Sequence, residues 1–355
     1  MTEPLRTVAT FALVLSLGAG CIAEGTDEGL PTIDAVDEPD DGFGGRDDAA
    51  WNRVLPQGPP PPAFANQLTL FAIPSPRPAE LSWKKPGKLV RRVLFNELGG
   101  MTGLGFHRRL GHAGVRIECA QPFVAESGES TSYFQGSMTN VDSNQFNQLL
   151  MDDKIGLGML FDNVDGAIET AEVLEETLQK RYGNGRVSFM RFGIGAETCT
   201  DLLAYVHAYR QANIHEYYGL AARPLYREGS GCSAFSISFL ELANLVEERF
   251  VDEWTFSVRA PAELVGGSRN PGNRVGLWKL FWLTRSWASP DEEGFDVFGW
   301  DPTLMFDSIR DMAEQDVRAG GNSAEARGRA IGLVIDRTDV EPSEALSDRT
   351  FFESE

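Results

Sequence analysis

The spacing of apolar positions along the chain predicts a mixture of strands and helices. Short apolar or alternating runs predict strands at QLTLFAI, HAGVRIECA, RVSFMRF and AIGLVIDR, with PFVAE as the hairpin partner of HAGVRIECA. Helical spacing marks AETCTDLLAYVHAYRQAN, GLWKLFWLTRSW, PTLMFDSIRDMAEQDV and, most clearly, DGAIETAEVLEETLQKRYGNG, for which Asp165 is the predicted N-cap. Elements mixed in this order predict one α+β domain with a C-terminal extension.

The stretch EGSGCSAFSISFLELANLVEE combines a helical repeat with a cysteine at its start. Its apolar side is formed by Phe235, Phe239, Leu242 and Val246, and Cys232 lies three residues before Phe235 on the same side. A buried structural thiol is one interpretation, because free cysteine is among the most buried residue types. The other is a nucleophile, because unpaired N–H groups at a helix start favour the thiolate.

The first 21 residues, MTEPLRTVATFALVLSLGAGC, have a different pattern. Arg6 precedes an apolar run from Val8 to Leu17 that is too short to span a membrane, and small residues then lead to Cys21. The pattern resembles a bacterial lipoprotein signal, which implies cleavage before Cys21 and a lipid anchor on that residue. An ordinary secretory signal is the alternative, and either one takes the mature chain out of the cytoplasm.

Shifts in composition divide the rest of the chain. After a signal over residues 1–20, residues 21–65 are acidic and Pro-rich and are expected to form a disordered tether. Residues 66–340 are expected to form the single α+β domain, with 249–340 as a Trp-rich extension. Residues 341–355 form an acidic tail.

Charge and motifs exclude several function classes. The formal net charge of -20 argues against nucleic acid as a partner, because nothing would neutralise phosphates. There is no HExxH or CxxC metal motif, and no P-loop or GxGxxG opens a helix. No metal and no cofactor is therefore expected. If Cys21 carries lipid, Cys119, Cys199 and Cys232 remain, so one thiol stays free, and three pairings are open.

A nucleophilic Cys232 would need a base, and His112 is the best placed of the four histidines because it opens an alternating strand. Glu126 is the expected orienting group. If the hairpin turns near Cys119 to Gln121, residue 126 returns beside residue 112. In a different register, the orienting group would be Ser127, Glu129 or Gln135.

The segments GHAGVRIE, FVAESGE and, later, GCSAFSISFL resemble those of the circularly permuted papain-like superfamily, which includes permuted NlpC-type peptidases and amidases and the lecithin:retinol acyltransferase relatives. In that group the histidine strand precedes the cysteine helix. The resemblance implies a papain-like fold of permuted order, with an antiparallel sheet carrying His112 packed on a helix that begins at Cys232. It also implies that Cys232 is the nucleophile, His112 the base and Glu126 the orienting acid.

The expected function is that of an exported, lipid-anchored cysteine peptidase, amidase or acyltransferase of the cell envelope. N–H groups of Cys232 or Ser233 would hold the oxyanion, and Trp278 and Trp282 would wall a substrate cleft. The expected substrate is a cell-wall peptide, a protein or a lipid acyl group, and the lipid on Cys21 would hold the chain at the membrane. The alternative is a non-catalytic surface lipoprotein that uses the same scaffold for binding.

Overall fold

The computed structural model describes residues 55–56, 61–75, 81–92, 111–142, 145 and 148–352. The expected signal, Cys21 and most of the expected tether lie outside these residues, as does the end of the acidic tail. No helix within the described part of the chain combines the length and the apolarity needed to cross a membrane.

Three sheets contain the strands of the described residues, and the largest has the order β10-β11-β6-β1-β2-β3. A second sheet has the order β4-β5-β7, and β8 pairs with β9. The strands are β1 (Gln67–Ile73), β2 (His112–Val124), β3 (Ser130–Gly136), β4 (Met138–Asn140), β5 (Val164–Ile168), β6 (Ser188–Gly193), β7 (Tyr217–Tyr218), β8 (Thr255–Pro261), β9 (Gly294–Trp300), β10 (Ala324–Arg327) and β11 (Ala330–Asp336).

The described residues contain seven α-helices with both ends defined, together with a short helical segment over residues 86–92 and several single turns. They are α1 (Ala171–Asn184), α2 (Ala196–Gln211), α3 (Cys232–Leu242), α4 (Glu248–Trp254), α5 (Leu277–Phe281), α6 (Pro302–Arg318) and α7 (Glu344–Ser347). Mixed sheets and helices confirm the α+β class.

Helices cover both faces of the six-stranded sheet. The larger core packs sheet residues such as Val115 and Phe192 against α2, α3 and α6, with Phe239 of α3 among its fully buried side chains. The smaller core, on the opposite face, packs Phe71 against Leu174 and other residues of α1. Residues two apart on a strand face the same way, so β1, β6 and β11 each contribute residues to both cores.

The β2–β3 hairpin differs from the one predicted from the sequence. β2 runs on as one strand from His112 to Val124, with an irregularity in its pairing between Glu118 and Phe123, instead of turning near Cys119. The turn therefore falls six residues later than expected, at residues 125–129. The apolar and polar alternation of HAGVRIECA gives the strand but carries no signal for its end.

Asp165 is not an N-cap. It lies in β5, which pairs with β4 and β7, and α1 begins at Ala171 with Thr170 as its cap. The Thr170 side chain accepts a hydrogen bond from the Val173 amide. A strand and a helix thus occupy a segment whose apolar spacing predicts one helix.

The C-terminal segment returns to the central sheet. β11 pairs in parallel with β6 and antiparallel with β10, so residues from the expected extension form the interior and edge of the main sheet. Residues around β8, β9 and α5 contribute a further apolar cluster that includes Phe256, Leu264 and Val297. That cluster is separate from the two cores on the main sheet.

Candidate active site

His112 is the first residue of β2 and has no exposed surface. It lies directly opposite Ile73 of β1, on the sheet face that α1 covers. Its Nε2 is 2.8 Å from Oε2 of Glu169, whose side chain is equally buried. An ionised carboxylate can only accept a hydrogen bond, so Nε2 carries the hydrogen and donates it.

Glu169 is fixed by the short connection between β5 and α1. Its backbone N–H donates to the Ser137 carbonyl at 2.7 Å, and the Ser137 hydroxyl donates to the carbonyl of Ala113, the neighbour of His112. Thr170 follows and caps α1. The start of β2, the β3–β4 junction and the start of α1 therefore hold the carboxylate and the imidazole in place together.

Cys232 is the first residue of α3, and its side chain contacts the imidazole. It is the free cysteine of the described residues, and its side chain is 7% exposed. The His112 ring hydrogen-bonds the Cys232 side chain as well as the Glu169 carboxylate. Because Glu169 engages Nε2, Nδ1 is the ring nitrogen available to the sulfur. The three side chains thus form a chain from thiol to imidazole to carboxylate.

The electrostatics of the site favour a charged imidazole. Burial by itself lowers the pKa of His112, but the Glu169 carboxylate and the hydrogen bonds that the ring makes with Glu169 and Cys232 outweigh burial and raise that pKa to about 9. The imidazole is therefore protonated at neutral pH, where an ordinary histidine is mostly neutral. A basic imidazole next to a thiol is the arrangement that produces a reactive thiolate.

The start of α3 adds hydrogen-bond donors next to the sulfur. Gly231 is the N-cap and contributes no side-chain hydrogen bond to the first turn. The N–H groups of Cys232 and Ser233 are in the first turn of the helix, where amides have no intrahelical acceptor. Ser233 is buried, and its hydroxyl oxygen is 3.9 Å from the Cys232 sulfur. The N–H groups that were expected to hold an oxyanion are therefore close to the Cys232 sulfur.

The chain that leads into Cys232 is held in position. Gly229 has a φ of +91°, and a Cβ there would lie 2.4 Å from the Tyr217 carbonyl oxygen, so glycine is required. The Ser230 N–H donates to that carbonyl at 3.1 Å, and the Ser230 hydroxyl is 2.8 Å from the hydroxyl of Tyr209. The two glycines before Cys232 have separate roles: Gly229 allows close approach to β7, and Gly231 is the N-cap of α3.

Glu126 does not contact His112. It lies in the exposed turn between β2 and β3, while His112 is at the opposite end of β2. A strand of this length spans roughly 40 Å. Ser127 and Glu129 lie in the same exposed turn, and Gln135 is bonded to Arg116 and Ala171. The carboxylate that reaches His112 comes instead from Glu169.

The two tryptophans expected to wall the cleft are associated with α5. The side chain of Trp278 lies outside the described residues. Trp282 is 73% exposed and packs edge-on against Phe281, with ring centroids 5.2 Å apart. Phe281 belongs to the apolar cluster around β8 and β9, not to the core that contains α3. Trp282 is therefore a surface side chain of that cluster.

The remaining cysteines and histidines are separate from this site. Cys119 of β2 and Cys199 of α2 form a disulfide, which selects one of the three open pairings. His207 packs its ring against Phe123, and burial lowers the pKa of His215. His107 lies outside the described residues. Within the described part of the chain, no group of histidine, cysteine and carboxylate side chains could hold a metal ion.

Glu169 is the site residue that sequence analysis does not find. The apolar spacing of DGAIETAEVLEETLQ predicts one continuous helix, which would place Glu169 on a helical turn. The available signal is Thr170, an N-cap residue type directly before the helical repeat. A helix that begins at Ala171 leaves Glu169 in the preceding connection, and only the tertiary fold brings it to His112.

Comparison with protein-family models, curated proteins and solved structures found no match to this chain.

Proposed function

We propose that the chain is a cysteine hydrolase or acyltransferase of permuted papain-like architecture, with Cys232 as nucleophile, His112 as base and Glu169 as orienting carboxylate. The observation that carries the proposal is the fully buried His112 ring, which is bonded to a carboxylate on one side and to a thiol at a helix start on the other. The order of His112 before Cys232 in the chain matches the permuted arrangement.

The proposed reaction is acyl transfer from an amide or ester. His112 takes the thiol proton, and the Cys232 sulfur attacks the carbonyl carbon while the C=O π pair moves to oxygen. The resulting oxyanion lies at the N–H groups of Cys232 and Ser233. When that pair returns, the bond to the leaving amine or alcohol breaks and His112 gives it the proton. Water, deprotonated by His112, then attacks the thioester and releases the acid and the thiol.

Glu169 is proposed to keep the pKa of His112 high although the site is buried away from water. Burial lowers the pKa of an imidazole by disfavouring its charged form, and the adjacent carboxylate is the largest of the interactions that together outweigh burial. Its hydrogen bond also fixes Nε2 as the protonated nitrogen, which leaves Nδ1 toward the sulfur.

The substrate is proposed to be an amide or ester outside the cytoplasm: a cell-wall peptide, a protein or a lipid acyl group. Export follows from the N-terminal signal pattern, and lipid on Cys21 would hold the enzyme at the membrane. The Cys119–Cys199 disulfide supports this placement because such bonds persist in oxidising compartments.

One observation favours the alternative of a non-catalytic binding protein. His112 and Glu169 have no exposed surface and Cys232 is 7% exposed, so the thiol is nearly closed to solvent. A protein that keeps the scaffold only for binding has no need of an open site.

An activated ester separates the two functions. We expect p-nitrophenyl acetate to acetylate Cys232 and to release nitrophenolate over repeated cycles, with the modified residue located by peptide mass spectrometry. His112→Ala is expected to slow acetylation about 100-fold or more, since positioned proton transfer contributes 10²–10⁴-fold. Cys232→Ser should abolish it, and Glu126→Gln should leave it unchanged. A native protein whose Cys232 resists acetylation, while the unfolded chain reacts, would establish the binding alternative.

A further inference from the structure

A surface cleft of about 460 Å³ lies between α1 and the six-stranded sheet, and we call it the α1 cleft. Its volume is within the range of sites that hold small molecules. The α1 cleft is separate from the proposed catalytic side chains, none of which lines it. Its walls include Arg116 of β2, Glu175, Gln179 and Tyr182 of α1, and Arg327 and Gly328 at the β10–β11 turn.

Two guanidinium groups of the α1 cleft lie over aromatic rings of the sheet. Cζ of Arg116 is 5.4 Å from the centre of the Phe71 ring, and Cζ of Arg327 is 4.6 Å from the centre of the Phe189 ring. Phe71 and Phe189 are paired neighbours on adjacent strands, and both belong to the core that α1 covers. The two positive charges are therefore on the same side of the sheet and next to the same helix.

Both guanidinium groups are also fixed by hydrogen bonds. Nε of Arg116 donates to Gln135 and its Nη2 donates to Glu175, while Nε of Arg327 donates to Glu325 at 2.8 Å. A guanidinium has more N–H donors than these bonds use. Each arginine therefore keeps donors for a ligand while its position is already set.

Tyr182 adds a donor whose hydrogen has no acceptor. Its side chain is 8% exposed, and no residue that the structure describes accepts a hydrogen bond from its hydroxyl. The Arg327 guanidinium is next to that hydroxyl, but arginine only donates hydrogen bonds. Burial raises the pKa of Tyr182, so the hydroxyl keeps its hydrogen at neutral pH. Because buried donors are nearly always paired, an acceptor from outside the chain is expected here.

The β10–β11 turn is attached to the end of α1, which fixes the width of the α1 cleft. The Arg329 N–H donates to the Tyr182 carbonyl at 2.8 Å. Gly328 has a φ of +59°, and a Cβ there would lie 2.7 Å from the same carbonyl oxygen, so this close approach requires glycine. Tyr182 and Arg327 are therefore held close together whether or not a ligand is bound.

The charges that line the α1 cleft leave a positive excess. Two guanidinium groups face one carboxylate, that of Glu175. Burial raises the pKa of Glu175, but hydrogen bonds from two neighbouring glutamines and the charges of both arginines outweigh burial and lower it. Glu325 is shared between Arg327 and Arg191, so the Arg191 charge balances it. The donors and the charge of the α1 cleft together suit a negatively charged acceptor.

We propose that the α1 cleft binds a small molecule through an oxyanion group, a phosphate or a carboxylate, which accepts hydrogen bonds from Arg116, Arg327 and Tyr182. Both kinds of group supply the acceptor oxygens and the negative charge that guanidinium groups recognise. The organic part of the ligand lies along Gln179 and Gly328, where the cleft has further volume. This site is additional to the proposed acyl-transfer site.

The test measures the binding of matched aromatic probes to the protein by saturation-transfer NMR at constant ionic strength. Phenyl phosphate and benzoate carry the two oxyanions on the same ring, and benzyl alcohol carries the ring without a charge. We expect at least one of the anions to bind at millimolar concentrations and benzyl alcohol to give no transfer. Tighter binding of phenyl phosphate would identify the ligand as a phosphate ester, and tighter binding of benzoate would identify it as a carboxylic acid.

Arg327→Gln and Tyr182→Phe should each weaken binding of the anion about tenfold or more, because each removes a hydrogen bond to a charged group. Tyr182→Phe keeps the ring, so it tests the site even if Arg327→Gln does not fold. Arg259→Gln is the matched control. Arg259 pairs with Asp296 of β9, and loss of the same charge there should leave binding unchanged.

Three outcomes would overturn the inference. The first is that neither anion binds to wild type, or that both variants bind it as wild type does. The second is equal transfer to benzyl alcohol, which would show that the ring is bound and not the oxyanion. The third is an equal loss in Arg259→Gln, which would show an effect of net charge alone. Acetylation of Cys232 is measured separately, so the proposed function can fail or hold independently of this site.

Discussion

Replacing Glu169 by glutamine tests the proposal that the Glu169 charge makes the Cys232 thiol reactive. The substitution keeps the size of the side chain and an oxygen that can accept from His112, but it removes the charge. Burial lowers the pKa of His112, and the Glu169 carboxylate together with the ring's interactions with Glu169 and Cys232 outweighs burial and raises that pKa to about 9. Without the charge, the ring stays buried and its pKa should fall, because burial disfavours the imidazolium.

The size of the effect follows from the change in proton affinity. The pKa of His112 rises from an ordinary value of 6.5 to about 9, and each pKa unit corresponds to about 1.4 kcal/mol, or tenfold. Loss of the carboxylate should lower the pKa of the imidazole by about two units or more, even with Cys232 still bonded to it. The equilibrium between the thiol–imidazole and thiolate–imidazolium pairs then shifts toward the neutral pair by about 100-fold.

Iodoacetamide alkylation of Cys232 between pH 5 and 10 measures this shift. Wild type should react well below pH 8, and Glu169→Gln should lose up to about 100-fold at pH 6 relative to its own rate at pH 9. Glu126→Gln is the matched control, since it makes the same substitution in an exposed turn and should retain the wild-type profile. A Glu169→Gln profile identical to wild type, or an equal shift in Glu126→Gln, would refute the assignment of Glu169.

Further predictions concern stability. A folded-state pKa of about 9 for His112 gives stabilisation that is complete below pH 6.5 and lost as the pH rises through 9, so urea unfolding should show a decline of about 3 kcal/mol that is absent in His112→Gln. Cys119→Ala with Cys199→Ala removes a crosslink over 80 residues and should lower the unfolding free energy by about 4.5 kcal/mol in the chain-entropy estimate; an unchanged urea midpoint would contradict it. Gly229→Ala places a Cβ 2.4 Å from a β7 carbonyl oxygen and should destabilise more than Gly128→Ala, which also has positive φ but no atom within 4 Å; equal urea midpoints would show that the contact is harmless.

Local patterns predicted the elements that carry two of the three proposed site residues. His112 is the first residue of a strand, which apolar and polar alternation predicts. Cys232 is the first residue of a helix, which helical spacing of apolar residues predicts. Strand and helix types were also predicted for β1, β6, β11, α2 and α6, because their apolar residues repeat with the period of the element. The α+β class follows from the same signals.

The third residue depends on information that no local pattern contains. Hairpin geometry suggested Glu126 only because β2 was expected to turn near Cys119, and alternation does not define where a strand ends. Glu169 reaches His112 across 57 residues, through the pairing of β4 with β5 and the hydrogen bond to Ser137. Pairing between distant strands is set by packing of the whole domain, so no local pattern in the sequence gives the partner of Glu169.

Because the site is buried, Cys232 resembles an ordinary core cysteine. For the same reason, a charged His112 needs a carboxylate partner such as Glu169. A thiol that is 7% exposed, on the face of α3 that packs Phe235, has the surroundings of an ordinary core cysteine. In such surroundings an imidazole alone would lose its proton, because low polarity disfavours its charged form. A purely structural histidine would be most stable there as the neutral ring bonded to a neutral acceptor. A buried carboxylate is instead unfavourable unless it is paired with a positive charge. Placing Glu169 at 2.8 Å from His112 therefore stabilises a charged imidazole inside the fold, and the adjacent thiol at the start of α3 is the group whose reactivity that charge increases.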